Sequence, residues 1–183
     1  MQFDPERHRR RSTRLPTYDY ASGGPYFLTI CTFGRERIFG EVVEDAVVLT
    51  PCGEIAQKEW ERSAELRPGL VLDMYVVMPN HLHCVVALLE WGVAGEGGPV
   101  GAYSCAPVHS DLRRPPRSLS SFVAQFKATT TRRINAHRGT TGSRVWQRND
   151  YEHIVRDDED LSRIRDYIAN NPQRWSEDEY YTS

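Results

Sequence analysis

At 183 residues, 39% of them hydrophobic and 26% charged, the chain suffices for one well-buried domain and is short for two independent cores. Its apolar runs are too short to span a bilayer and no apolar stretch follows the early arginines, so the reading is a protein without membrane span or secretory signal. A net charge of −2 argues against a nucleic-acid partner only on average, because cations and acids are segregated along the chain.

Residues 1–25 read as an arm, rich in arginine (Arg7, Arg9, Arg10, Arg11, Arg14) and then in turn formers. Tyr26 to Phe33 is dense in β-branched and aromatic residues between Pro25 and Gly34, which predicts a strand; a short second one is expected over Ala46 to Leu49. Thr50 is placed to cap a helix with Pro51 in its first turn, and Ile55, Ala56, Trp60 and Ala64 recur at helical spacing until Pro68. Leu70 to Met78 predicts a central strand, turned by Pro79-Asn80 into a neighbour running from His81 to Leu89.

The segment from about 92 to 116 is rich in glycine and proline and reads as a flexible insertion. Ser118 or Ser120 can cap the next helix, with Phe122, Phe126 and Ile134 inward and Lys127, Arg132 and Arg133 outward. Between Leu112 and Asn149 there is no acidic residue, so this helix and the arm form the candidate phosphate-binding surface. A last edge strand is expected near Glu152 to Val155. A closing helix starts near Asp157, where four consecutive acids suit the positive end of the helix dipole, and buries Leu161, Ile164 and Ile168. Residues 176–183 are an acidic tail. The order of elements predicts an α+β fold, a ferredoxin-like split β-α-β arrangement with helices packed on an antiparallel sheet. Cys31, Cys52, Cys84 and Cys105 lie far apart with no CxxC pair, which suits a reducing cytoplasm.

Two features carry chemistry. His81 and His83 lie two apart on a predicted strand, so both imidazoles project to one face, half of a metal site. Tyr167 and Asn171 lie four apart on the closing helix and share a side; Pro172 is expected to push Asn171 out of helical geometry, letting its amide reach away from the helix.

His81-Leu82-His83, the basic helix, Trp146-Gln147-Arg148, Tyr151 to Arg156 and Tyr167 to Pro172 together resemble the REP-associated tyrosine transposases, relatives of the single-tyrosine HUH transposases. The resemblance runs from about Arg10 to Trp175, with the glycine-rich insertion outside it. It implies cleavage and strand transfer of single-stranded DNA at hairpin-forming palindromes through a 5′-phosphotyrosine, without a nucleotide cofactor, by a monomer or homodimer. Carried onto this chain, Tyr167 is the nucleophile and His81, His83 and Asn171 hold a divalent ion. Softness rules favour oxygen over imidazole for Mg²⁺ or Mn²⁺, so the identity of the metal comes from the resemblance. Tyr151 is a rival nucleophile and His153 a rival ligand or base. Arg9, Arg10, Arg11, Lys127, Arg132 and Arg133 are the expected DNA contacts. A noncatalytic DNA-binding regulator on the same fold and a metal-dependent hydrolase using water are the competing functions.

Overall fold

The computed structural model describes residues 23–89 and 118–182. Arg9, Arg10 and Arg11 of the arm, Cys105, and the proposed insertion over 92–116 lie outside the described residues.

The main sheet has four strands: β1 (Gly24–Cys31), β4 (Leu70–Met78), β5 (His81–Leu88) and β6 (Tyr151–Ile154), ordered β4-β5-β1-β6 with every neighbouring pair antiparallel. Helix α1 (Pro51–Leu66) links β1 to β4, and α2 (Leu119–Arg138) precedes β6 in the chain. Each half is thus a split β-α-β unit, the expected ferredoxin-like arrangement. Among the described residues no helix is long and apolar enough to cross a membrane.

Local chemistry sets the helix ends. Thr50 accepts from the Gly53 amide and precedes Pro51, Ser118 accepts from the Ser121 amide, and Asp157 accepts from the Asp160 amide, so each helix starts with an orphan N–H satisfied. Helix α2 stops at Gly139, whose φ of 67° closes the last turn.

Side chains alternate across the sheet and give it two different faces. Tyr26, Leu28, Ile30, Leu82, Cys84 and Val86 point to the side covered by α1 and α2, where Trp60 lies 5.4 Å and 5.3 Å from the rings of Phe122 and Phe126. Phe27 and Val85 point to the other side, where α3 (Asp158–Asn170) lays Ile164 and Ile168 against them. Burial of these aromatic and aliphatic side chains is the main stabilising term.

The expected strand over Ala46–Leu49 is present as β3 and pairs with β2 (Gly40–Val43), which the sequence did not announce, in a hairpin separate from the main sheet. Its turn residues Glu44 and Asp45 both have positive φ, 49° and 62°, a geometry usually marked by Asn-Gly. Two other expectations are corrected. Asn171 keeps helical dihedrals (φ −62°, ψ −39°) despite Pro172, because its amide still reaches the Ile168 carbonyl and the chain runs on through turns to Arg174. Lys127 does not face out: its side chain is largely buried, ion-paired to Asp150 and donating to the Gln147 carbonyl at 2.7 Å.

Candidate active site

Register builds the site. Across β5, β1 and β6, His83, Thr29 and Tyr151 stand in one row, flanked by a row of His81 and Cys31 and by a row of Val85, Phe27 and His153. All project toward α3, so the two imidazoles share a face as the i, i+2 spacing requires. Their ring centroids are 4.3 Å apart, and both residues are essentially fully buried.

Hydrogen bonds fix which nitrogens are free. The Asn80 amide nitrogen donates to the carbonyls of Arg35 and Tyr180, so its oxygen, 2.8 Å from His81 Nδ1, must accept. His81 therefore carries its proton on Nδ1, and Nε2 is a buried acceptor without a hydrogen-bond partner among the described residues. His83 Nδ1 lies 2.9 Å from the Thr29 hydroxyl, which leaves its Nε2 pointing at α3. Burial lowers the pKa of both rings, for His81 well below its ordinary value with His83 adding repulsion, while Asp178 partly opposes the shift at His83. Both are neutral at neutral pH, the form that ligates a cation.

Helix α3 supplies the other half. The Tyr167 hydroxyl is 3.2 Å from His83 Nε2, and the ring packs edge-on against Phe27 at 6.0 Å. Burial, with the charges of Asp178 and Glu179, raises the Tyr167 pKa above that of a free phenol. One turn on, the buried Asn171 donates its amide N–H to Asp178 at 2.7 Å and leaves its oxygen buried without a partner.

Asp178 was not foreseen. The expected acidic tail folds back onto the sheet: Trp175 is buried, Tyr180 lies 4.8 Å from the His81 ring, and Arg35 donates to the Glu179 carbonyl at 2.6 Å. This return places an Asp178 carboxylate oxygen 3.9 Å from His83 Nε2, with the other accepting from the Tyr180 amide at 2.6 Å. Burial alone would raise the Asp178 pKa, but the His83 ring and the Tyr180 and Asn171 N–H groups outweigh it and keep the carboxylate charged. Among the described residues, His81, His83 and Asp178 form a cluster whose ligand atoms lie within 4.8 Å of one another. Two neutral nitrogens, one carboxylate and a neighbouring amide oxygen, two of these atoms buried and unpartnered among the described residues, fit a divalent cation.

The other sequence candidates separate. Tyr151 lines the same open cleft of about 760 Å³, with its ring 6.1 Å from Phe27, whereas His153 is tied to Asp160 at 2.8 Å. Arg132 is exposed on α2, on the far side of the sheet from the histidines, and Arg133 pairs with buried Glu59 at 2.8 Å. Arg163 and Arg174, not singled out from the sequence, line the cleft.

No protein-family model matches the chain. A Haemophilus influenzae protein of unassigned function is 34% identical over 174 residues, spanning 95% of this chain and 94% of the relative. A second Haemophilus influenzae protein, provisionally named a REP-associated tyrosine transposase, is 25% identical over 162 residues, spanning 84% and 73% of the two chains. Among solved structures, a REP-associated tyrosine transposase bound to a REP hairpin matches with a TM-score of 0.56 at 21% identity, covering 86% of this chain and 72% of that one. By these matches the chain resembles the REP-associated tyrosine transposases in sequence and shares the fold of the hairpin-bound one.

Proposed function

We propose that this protein is a DNA-nicking and strand-transfer enzyme that cuts single-stranded DNA beside a hairpin through a covalent bond to Tyr167. The observation that carries the proposal is the Tyr167 hydroxyl standing 3.2 Å from His83 Nε2, next to two buried acceptors that no group satisfies among the described residues. The hairpin as substrate is supported by the solved structure of similar fold, a REP-associated tyrosine transposase bound to a REP hairpin.

Attack by the Tyr167 oxygen on phosphorus forms a P–O(Tyr) bond and breaks the P–O3′ bond; the phenol proton is given up and the departing 3′ oxygen gains one, leaving a 5′-phosphotyrosine and a 3′-hydroxyl. One phosphodiester replaces another, so the return of a 3′-hydroxyl reverses the step without a nucleotide cofactor. His81, His83 and Asp178, with the Asn171 oxygen, would hold a divalent cation such as Mg²⁺ or Mn²⁺. That ion supplies charge for the non-bridging oxygens and favours the phenolate. Thr29 and Asn80 orient the two imidazoles, and Phe27 holds the Tyr167 ring against His83. Arg132, and Arg9, Arg10 and Arg11 of the arm, are assigned to phosphates of the DNA; Lys127 and Arg133 serve mainly to anchor α2.

The test is a labelled hairpin oligonucleotide with single-stranded flanks, incubated with protein and Mn²⁺ or Mg²⁺ and run on a denaturing gel. A protein–DNA adduct is expected, absent with Tyr167→Phe. Cleavage without adduct would make water the nucleophile, and adduct retained by Tyr167→Phe would move the role to Tyr151.

A further inference from the structure

The cleft carries a second tyrosine that the chemistry above leaves without a task. Tyr151 sits on the same sheet face as His83 and in its row, two strands away, so the two backbones are roughly 10 Å apart. Among the described residues strand β6 pairs only with β1, which places Tyr151 at an edge that a polynucleotide can cross.

The ring is backed on one side by Phe27. Phe27 stacks on His83 at 5.5 Å and meets both Tyr151 and Tyr167 edge-on, at 6.1 Å and 6.0 Å. Tyr151 is nevertheless 48% exposed, an aromatic surface open to the cleft. It is badly placed as a nucleophile, since the hydroxyl within reach of His83 Nε2 belongs to Tyr167.

Charge does not explain how a strand would be held here. The cleft is lined by Arg163 and Arg174, but also by Asp166, Glu177, Asp178 and Glu179. Arg163 is already engaged by Asp160 at 2.5 Å. Among the described residues acids outnumber arginines in the lining, so beside Tyr151 a nucleotide is held mainly through its base. A half-exposed aromatic ring is the group that supplies such contacts, because every base has a π face to stack.

We propose that Tyr151 is a stacking platform for a base flanking the scissile phosphate, setting which nucleotide enters beside Tyr167. The role belongs to the ring and not to the hydroxyl. Tyr151 is then a positioning residue: it holds the strand so that the phosphate one or two nucleotides away meets Tyr167. This rests on the reading of the protein as a single-stranded DNA nickase.

The experiment uses the full chain and a hairpin oligonucleotide whose single-stranded flank carries one 2-aminopurine, moved a position at a time. In the wild type, one or two adjacent positions should change fluorescence strongly on binding, as stacking on tyrosine quenches the probe. Tyr151→Phe should keep that signal and the covalent adduct. Tyr151→Ala should lose the signal at those positions and bind roughly tenfold more weakly, with the difference vanishing when the base there is replaced by an abasic site. Tyr151→Leu keeps strand-forming bulk without a π face and should behave as Ala, which separates stacking from damage to β6; circular dichroism checks that each variant is folded. An unchanged signal in Tyr151→Ala overturns the proposal while leaving the nickase reading intact. Loss of adduct in Tyr151→Phe with binding retained also overturns it, because the hydroxyl would then be the working group. A wild type that binds none of the hairpins overturns the nickase reading itself and the platform with it.

Discussion

The Tyr167 hydroxyl and His83 Nε2 are 3.2 Å apart, so the proposed nucleophile touches a ring proposed to hold the cation. Burial and the carboxylates of Asp178 and Glu179 raise the Tyr167 pKa, so the phenol stays protonated unless positive charge enters the site. Divalent ion should lower that pKa, and the initial rate of adduct formation should climb with pH between about 6 and 9, with a steeper response in metal than in chelator. Rates that are flat across this range, or equal in chelator, would remove the cation from the activation of Tyr167.

Asp178 and Asn171 act as a pair, the amide of one holding the carboxylate of the other at 2.7 Å. If Asp178 contributes a charge to the cation, Asp178→Asn should weaken Mn²⁺ binding by at least about tenfold, followed as the metal-induced rise in melting temperature. Asn171→Ala should weaken it as well, because it removes an oxygen and frees the Asp178 side chain. Unchanged metal affinity in Asp178→Asn would return the site to His81, His83 and Asn171.

How much of this was legible follows from the range of the interactions. The strands β1, β4 and β5 announce themselves through β-branched runs, and the histidine faces follow from period two, since both are properties of adjacent residues. The caps Thr50, Ser118 and Asp157 are equally local. Asp178 was hidden because its place depends on Trp175 and Tyr180 folding onto a strand nearly a hundred residues earlier, which no spacing rule encodes. Lys127 was misplaced for the same reason: its partner Asp150 lies on a distant loop, and an ion pair outweighed the outward position suggested by helical periodicity. Hairpin strand β2 escaped because Glu44-Asp45 is an uncommon pair for a turn needing two positive φ angles.

Arg132 and Arg133 are neighbours with different work. Arg132 is exposed, while Arg133 pairs with Glu59, a buried carboxylate, at 2.8 Å. Arg132→Ala should leave the melting temperature nearly unchanged and lower hairpin affinity with a shallower salt dependence. Arg133→Ala should cost about 1–2 kcal/mol of stability by leaving Glu59 with less compensation, a value reduced because the arginine side is half exposed. Equal melting temperatures for the two variants would show that the Arg133 pair contributes nothing to α2 docking.

At the start of α3, Asp160 accepts from His153 Nε2 at 2.8 Å and pairs with Arg163, and its pKa falls to about 2, the His153 hydrogen bond being the larger cause and Arg163 adding to it. A carboxylate whose folded pKa lies below its unfolded value near 3.9 favours the native state above that value, and the contribution disappears as pH falls from about 4 toward 2. The amount at stake is on the order of 2 kcal/mol. Because α3 carries Tyr167 and is capped by Asn171, loosening its first turn should disturb the site as well as the fold. Thermal unfolding followed from about pH 5 down to about pH 2 should show stability falling through this window in the wild type. Asp160→Asn should be less stable at pH 5 and lose part of that slope, since the remaining amide does not titrate. An identical slope in the variant would place the acid sensitivity in other carboxylates and leave the His153–Asp160 contact without a measurable share in holding α3 to the sheet.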